Sequence, residues 1–225
     1  MSEGHVVIAI DGPAGTGKST TARLLAKKLN YLYIDSGAMY RAVTFAILKN
    51  KIDPKNPDAV NVKKMIALCA SSKLELIGDN VMLNDEDVTK NIRNVEVTNI
   101  VSTTSKIKEI RDILVDKQRQ YAENSSVVMY GRDIGTVVFP NADFKFYLRC
   151  DLKTRAARRQ QDFRDMGLDI TLDKIVKELQ KRDEIDTKRA VSPLKKAADA
   201  IEVDTTNLII EEQVENLYRK IHPVT

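Results

Sequence analysis

Val6-Val7-Ile8-Ala9-Ile10-Asp11-Gly12-Pro13-Ala14-Gly15-Thr16-Gly17-Lys18-Ser19 opens on five consecutive apolar residues, four of them valine or isoleucine. A short β-branched run without alternation predicts a strand buried on both faces, as in a parallel sheet. The eight residues from Gly12 to Ser19 match G-x-x-x-x-G-K-[ST] in full, the pattern of a phosphate-binding loop. Ala22, Leu25, Ala26 and Leu29 then follow the i, i+3, i+4, i+7 spacing of an amphipathic helix. Strand, loop and helix are the context that this loop needs. Glycines let backbone N–H groups turn inward, and the helix N-terminus favours negative charge. A lysine at position 18 can reach β- and γ-phosphates, and the Ser19 hydroxyl can bind Mg²⁺. The dinucleotide pattern G-x-G-x-x-G fails, because its third glycine falls on Thr20.

Working outward, the same alternation repeats. Leu32-Tyr33-Ile34 predicts a second strand and residues 38–48 a helix. Val127-Val128-Met129-Tyr130, Phe144-Lys145-Phe146-Tyr147-Leu148 and Ala200-Ile201-Glu202-Val203 predict three more strands. Helices are expected over 105–122, through most of 151–196 and over 210–221, with Asp204-Thr205-Thr206 as a cap region before the last. Residues 61–99 have a different texture: a helix at 62–70, then Leu74, Leu76, Val81 and Leu83 around Gly78-Asp79-Asn80, which predicts a hairpin. The expected fold is α/β, with a five-stranded parallel sheet flanked by helices. One domain over residues 1–225 is expected, carrying an insert at about 61–99 and a short arginine-rich lid at about 155–189.

Composition limits the classes of function. The 225 residues are 43% hydrophobic, enough for a core, and carry a net charge of +4. Residues 151–196 hold thirteen of the 36 Lys and Arg and nine of the 32 Asp and Glu, leaving 23 of each elsewhere, so this segment carries the whole imbalance. A nucleotide-gated RNA binder would interleave aromatic residues among these charges, and only Phe163 interrupts the arginine-rich stretch. No nucleic-acid partner is expected. Cys69 and Cys150 form no CxxC pair, and His5 and His222 lie near no carboxylate motif, which gives no ground for a disulfide framework, zinc or a Ser/His/Asp triad. The first apolar run is too short for a signal core or a membrane span. A cytoplasmic monomer without a membrane partner is the expectation.

A GTPase would carry Asn-Lys-x-Asp at the end of a strand, and the chain's one match to those letters, Asn50-Lys51-Ile52-Asp53, follows the predicted helix at 38–48 instead. Three further segments point to a second anionic substrate. Asp35-Ser36-Gly37-Ala38-Met39-Tyr40-Arg41 and Gly131-Arg132-Asp133-Ile134-Gly135-Thr136 follow predicted strands, where ligands of open α/β sheets gather. Arg182-Asp183-Glu184-Ile185-Asp186-Thr187-Lys188-Arg189 is preceded by Arg155, Arg158, Arg159 and Arg164. Arg155, Arg158 and Arg159 fall on one helix face, and arginines hold phosphates by forked hydrogen bonds.

Residues 12–19, 35–41, 131–136 and 182–194, with Leu83-Asn84-Asp85-Glu86-Asp87-Val88-Thr89, Ile92-Arg93 and Ala198-Asp199-Ala200, together resemble the bacterial cytidylate kinase family. The resemblance runs in order over nearly the whole chain. It implies transfer of the γ-phosphoryl of ATP, with Mg²⁺, to CMP or dCMP; a kinase for another nucleoside monophosphate or small acceptor is the alternative. By position, Gly12, Pro13, Ala14, Gly15, Thr16, Gly17, Lys18, Ser19 and Thr20 would hold ATP, with Ser19 on the metal. Ser36, Arg111 and Asp133 would read the cytosine. Ser102, Arg182 and Asp186 would contact the pentose. Arg41, Arg132 and Arg189 would contact the monophosphate. Lys18, Arg132, Arg155 and Arg159 would serve the transferred group. One position departs from the family pattern: Tyr130 stands before Gly131, where an acid is usual, and Asp35 is the nearest candidate to replace that acid at the metal.

Overall fold

A computed structural model describes residues 4–55, 58–165 and 167–223. Met166, inside the expected lid, lies outside them. In chain order the elements are β1 (Val7–Asp11), α1 (Lys18–Leu29), β2 (Leu32–Asp35), α2 (Ser36–Lys49), α3 (Ala59–Ser71), β3 (Leu74–Ile77), β4 (Asn80–Leu83), β5 (Glu86–Asp87), α4 (Val95–Thr104), α5 (Lys108–Gln120), β6 (Val127–Gly131), β7 (Phe144–Arg149), α6 (Leu152–Asp165), α7 (Leu172–Lys188), β8 (Ile201–Asp204) and α8 (Ile210–Ile221). The predicted α/β class holds: among the described residues a five-stranded parallel sheet runs in the order β2-β6-β1-β7-β8 and is flanked by helices. β1 is central, in register with β6 (Ile8 opposite Val128) and with β7 (Ile8 opposite Phe144).

By its internal contacts the chain divides into two compact units, one of Met1–Tyr33 with Ser125–Thr225, the other of Ile34–Asn124. The core of the first explains the unbroken apolar strands. Ile8, Ile10, Val128, Phe146 and Leu148 of the sheet meet Ala22, Leu25 and Ala26 of α1 and Val214 and Leu217 of α8, all buried. At about 25 cal/mol per Å² of apolar surface, each such large side chain contributes about 1.5–3 kcal/mol. The charged segment has a small core of its own: Ala156 of α6 packs on Ile175 and Leu179 of α7, with Phe163 and Ala14 against them.

The second unit holds the predicted hairpin. β3 pairs antiparallel with β4, Leu76 opposite Val81, and the short strand β5 extends it. Two details differ from the sequence reading. Residues 95–104, where no helix is expected, form α4. Its β-branched residues argue against helix by propensity, yet Val97, Ile100, Val101 and Thr104 are buried at helical spacing and Asn94 caps it, accepting from Val97 N at 2.8 Å. Tertiary burial outweighs propensity there. The residues 204–206 do not cap α8. Asp204 accepts from Thr206 N at 3.0 Å in a local turn, and α8 begins after Ile209, whose N–H donates to Glu212 Oε2 at 3.0 Å.

Candidate active site

The phosphate loop leaves the carboxyl end of β1. Gly12 has φ +145°, and a Cβ there would lie 2.2 Å from the Leu148 carbonyl oxygen of β7. Gly17 has φ +90°, and a Cβ would meet Gln213 Oε1 at 2.6 Å. Glycine is therefore required at both positions by neighbours as well as by dihedral. Gln213 is fully buried and accepts from Thr21 Oγ1 at 2.8 Å, fixing α8 against the start of α1. Thr205 Oγ1 donates to the Thr16 carbonyl at 3.0 Å and holds the loop from the other side.

Lys18 is 4% exposed. Its ammonium donates to the Pro13 carbonyl and, at 3.2 Å, to Thr16 Oγ1. Burial, then the nearby Arg132 and Arg182 guanidinium groups, hold it well below the ordinary lysine range, while Asp11 and Asp186 oppose that shift. An anion among these cations would relieve the strain of like charges.

At the end of β1, Asp11 accepts from Ile134 N at 2.9 Å and Gly135 N at 2.7 Å, anchoring the loop that follows β6. Burial pushes its carboxyl up to about 6, against those two amides. The folded value is above the unfolded 3.8, so the folded state holds more protons between the two values. Stability from this group is full below about pH 4 and falls as pH rises towards 6, by about 3 kcal/mol in total. Urea unfolding at pH 4.5 and pH 7 measures it, and Asp11→Asn removes that part of the pH slope.

Arg132, Arg155 and Arg189 of the first unit are each set against a carboxylate. Arg132 Nε lies 2.7 Å from Asp186 Oδ2, with both side chains largely buried. Although burial acts to raise it, Arg132, Arg182 and Arg189 hold Asp186 below the usual carboxylate range. Arg189 lies 3.6 Å from Asp133 Oδ1 and donates to the Ser192 carbonyl at 2.5 Å. Arg155 is buried, donating to the Ala14 carbonyl of the loop at 3.1 Å and pairing with Asp183 at 2.7 Å. The structure thus brings Lys18, Arg132, Asp133, Arg155, Arg182, Asp186 and Arg189 to the loop end of this unit.

The arginine face of α6 serves three separate ends. Arg158 donates to the Thr205 and Leu208 carbonyls at 2.7 and 3.1 Å, a structural tie between α6 and the turn before α8. Arg159 pairs with Asp162 at 3.6 Å and lies over the Phe163 ring at 4.4 Å. Helical spacing alone could not separate these three partners.

In the second unit, Ser36 is buried at the start of α2. Arg41 donates to Thr98 Oγ1 at 2.8 Å and to the Ile92 carbonyl at 3.4 Å. Arg111 is 2% exposed; it donates to the Ser105 carbonyl at 3.2 Å and faces the Tyr40 ring. Ser102, half-buried on α4, accepts from Ser105 Oγ through its carbonyl at 3.2 Å. Asp35 caps α2, accepting from Ala38 N at 2.9 Å, and its second oxygen lies 3.6 Å from Arg93.

Tyr33 and Tyr130 escaped the sequence reading as partners. They stand on β2 and β6, neighbours in the sheet, with ring centroids 5.8 Å apart and stacked. Tyr130 donates to Ser19 Oγ at 3.0 Å, and the Tyr33 hydroxyl lies 3.1 Å from the same oxygen. Ser19 is exposed. A serine hydroxyl at the end of a phosphate loop suits Mg²⁺, a hard cation that keeps phosphate and water oxygens and takes few protein ligands.

A buried parallel strand, a phosphate loop closed by lysine and serine, and arginines gathered at its mouth define a phosphotransferase of the phosphate-loop class. A family model described as cytidylate kinase matches residues 8–223. A cytidylate kinase of Clostridioides difficile (strain 630) is 46% identical over 219 residues, covering 97% of this chain and 99% of that protein. One of Bacillus subtilis (strain 168) is 42% identical over 223 residues, covering 97% of each. The chain belongs to the cytidylate kinase family. Its fold is also similar to an uncharacterized protein from Eubacterium ventriosum ATCC 27560, with a TM-score of 0.53 at 13% identity over 98% of this chain and 99% of that one.

Proposed function

We propose that the chain transfers the γ-phosphoryl of ATP to CMP or dCMP, giving CDP or dCDP and ADP. The observation that supports this most is the cationic cluster around a buried Lys18, with Arg132, Arg155, Arg182 and Arg189 held ready by Asp183, Asp186 and Asp133. Transfer between two nucleotides gathers many phosphate oxygens, and preset cations stabilise the charge that shifts among them. Gly12 through Thr20 hold the ATP phosphates. Lys18 and Arg132, with Arg155 and Arg159, serve the transferred group. Arg41, Arg132 and Arg189 hold the monophosphate, and Ser102, Arg182 and Asp186 the pentose. Ser36, Arg111 and Asp133 read the base. Mg²⁺, when bound, neutralises phosphate charge, and Ser19 offers it a hydroxyl. α6 and α7 exclude water from the transferred group, which limits hydrolysis of ATP. The enzyme works as a cytoplasmic monomer on small nucleotides, without a nucleic-acid or membrane partner; no described helix is long and apolar enough to cross a membrane.

Base choice follows from hydrogen-bond polarity. The cytosine amine donates to the Asp133 carboxylate, and Arg111 donates to the N3 and O2 side. Uracil meets the carboxylate with an acceptor oxygen, so discrimination comes from a mismatched pair. Asp133→Ala loses CMP kcat/KM by about 10- to 150-fold, the worth of a hydrogen bond to a charged group. UMP activity falls less or rises, and the preference for CMP shrinks. The pair with Arg189 supplies the contrary outcome. If Asp133 serves only to hold that arginine, both substrates lose equally and the ratio of their kcat/KM values stays unchanged.

A further inference from the structure

The Ser19 hydroxyl has one proton and two lone pairs. The Tyr130 hydroxyl donates to it at 3.0 Å and occupies one lone pair. The Tyr33 hydroxyl, 3.1 Å away, is placed to accept the serine proton. One lone pair of Ser19 then remains, on an exposed residue. We infer that Tyr33 and Tyr130 are positioning residues that orient the Ser19 hydroxyl so that a lone pair, and not its proton, faces the metal that accompanies the nucleotide.

The two rings are built to hold that orientation. Both pack against the hydrophobic core of the first unit and stack on one another, so their hydroxyls are carried on side chains with little freedom. They come from neighbouring strands, and Ser19 lies in the first turn of α1. A free serine hydroxyl rotates among three staggered positions, and one of them would aim its proton at the cation. Fixing the rotor on two sides removes that choice before the ligand arrives. Partners behind a metal ligand commonly tune affinity in this way. The arrangement also gives Tyr130 a task at this strand end without a carboxylate.

The inference rests on the reading of Ser19 as the metal-facing hydroxyl, and the test separates the two. Calorimetric titration of ADP, in excess Mg²⁺ and again in EDTA, gives for each variant the factor by which Mg²⁺ tightens ADP binding. For Tyr130→Phe that factor falls about 3- to 10-fold, the range of a neutral hydrogen bond acting through a ligand. Its Kd in EDTA stays within about twofold of the parent. Tyr33→Phe falls in the same direction, and Ser19→Ala loses at least as much. Thermal unfolding verifies that the phenylalanine variants keep the ring packing. An unchanged Mg²⁺ factor in both phenylalanine variants, with a reduced one in Ser19→Ala, overturns the tyrosine inference alone. An unchanged factor in Ser19→Ala overturns the metal-facing serine itself. Weaker ADP binding in EDTA by the same factor as in Mg²⁺ means that the tyrosines turn the serine proton towards phosphate, which also overturns the inference.

Discussion

Lys18→Ala lowers kcat by at least about a thousandfold, because a charge fixed on the transferring phosphoryl is lost in a site where water cannot replace it. The buried lysine also donates to the Pro13 carbonyl and to Thr16 Oγ1. Alanine therefore leaves a loop carbonyl short of a donor as well as removing the charge. Lys18→Met keeps most of the volume and separates the two effects. Both variants, compared in single-turnover assays at a common fraction folded, lose phosphoryl transfer to a similar extent. A methionine variant with near-normal kcat would place Lys18 in the loop's architecture and outside its chemistry.

Arg155→Ala has the second largest effect, a fall in kcat of about 10²- to 10³-fold with little change in the KM for CMP. The guanidinium touches the loop carbonyl of Ala14 and is held by Asp183, so it stands against the phosphate loop from α6. Arg159, set against Asp162 and Phe163 on a more open face, has a smaller share, and Arg159→Ala lowers kcat by about tenfold. Steady-state kinetics with each substrate varied in turn distinguishes the roles. If Arg155 only clamps the loop, its loss raises the KM for ATP and leaves kcat in place.

The parts of this enzyme that depend on neighbours in sequence were legible before the fold was known. β1, its loop and α1 are short-range signals: a β-branched run, glycines at fixed spacing, and an apolar stripe of period 3.6. The pairings that shape the site are of another kind. Arg132 meets Asp186 across 54 residues, and Arg155 meets Ala14 across 141. Sequence spacing places Arg155, Arg158 and Arg159 on one face. It does not reveal that Arg158 goes to the turn at Thr205 while Arg155 goes to the phosphate loop. α4 was hidden for a further reason, since its β-branched residues suit a strand and only their burial at positions 97, 100, 101 and 104 favours helix. Tyr33 read as a strand residue, and its ring stacks on Tyr130 because β6 adjoins β2 in the sheet while following it far along the chain.

The most direct test of the enzyme's identity is a coupled assay of ADP release from ATP with CMP, dCMP, UMP and AMP supplied separately, alongside chromatography of the acceptor nucleotide. CMP and dCMP are expected to support rapid turnover with formation of CDP and dCDP, UMP to be phosphorylated far less efficiently, and AMP hardly at all. Equal or better turnover with UMP or AMP, or ADP release without a phosphorylated acceptor, would contradict the assignment.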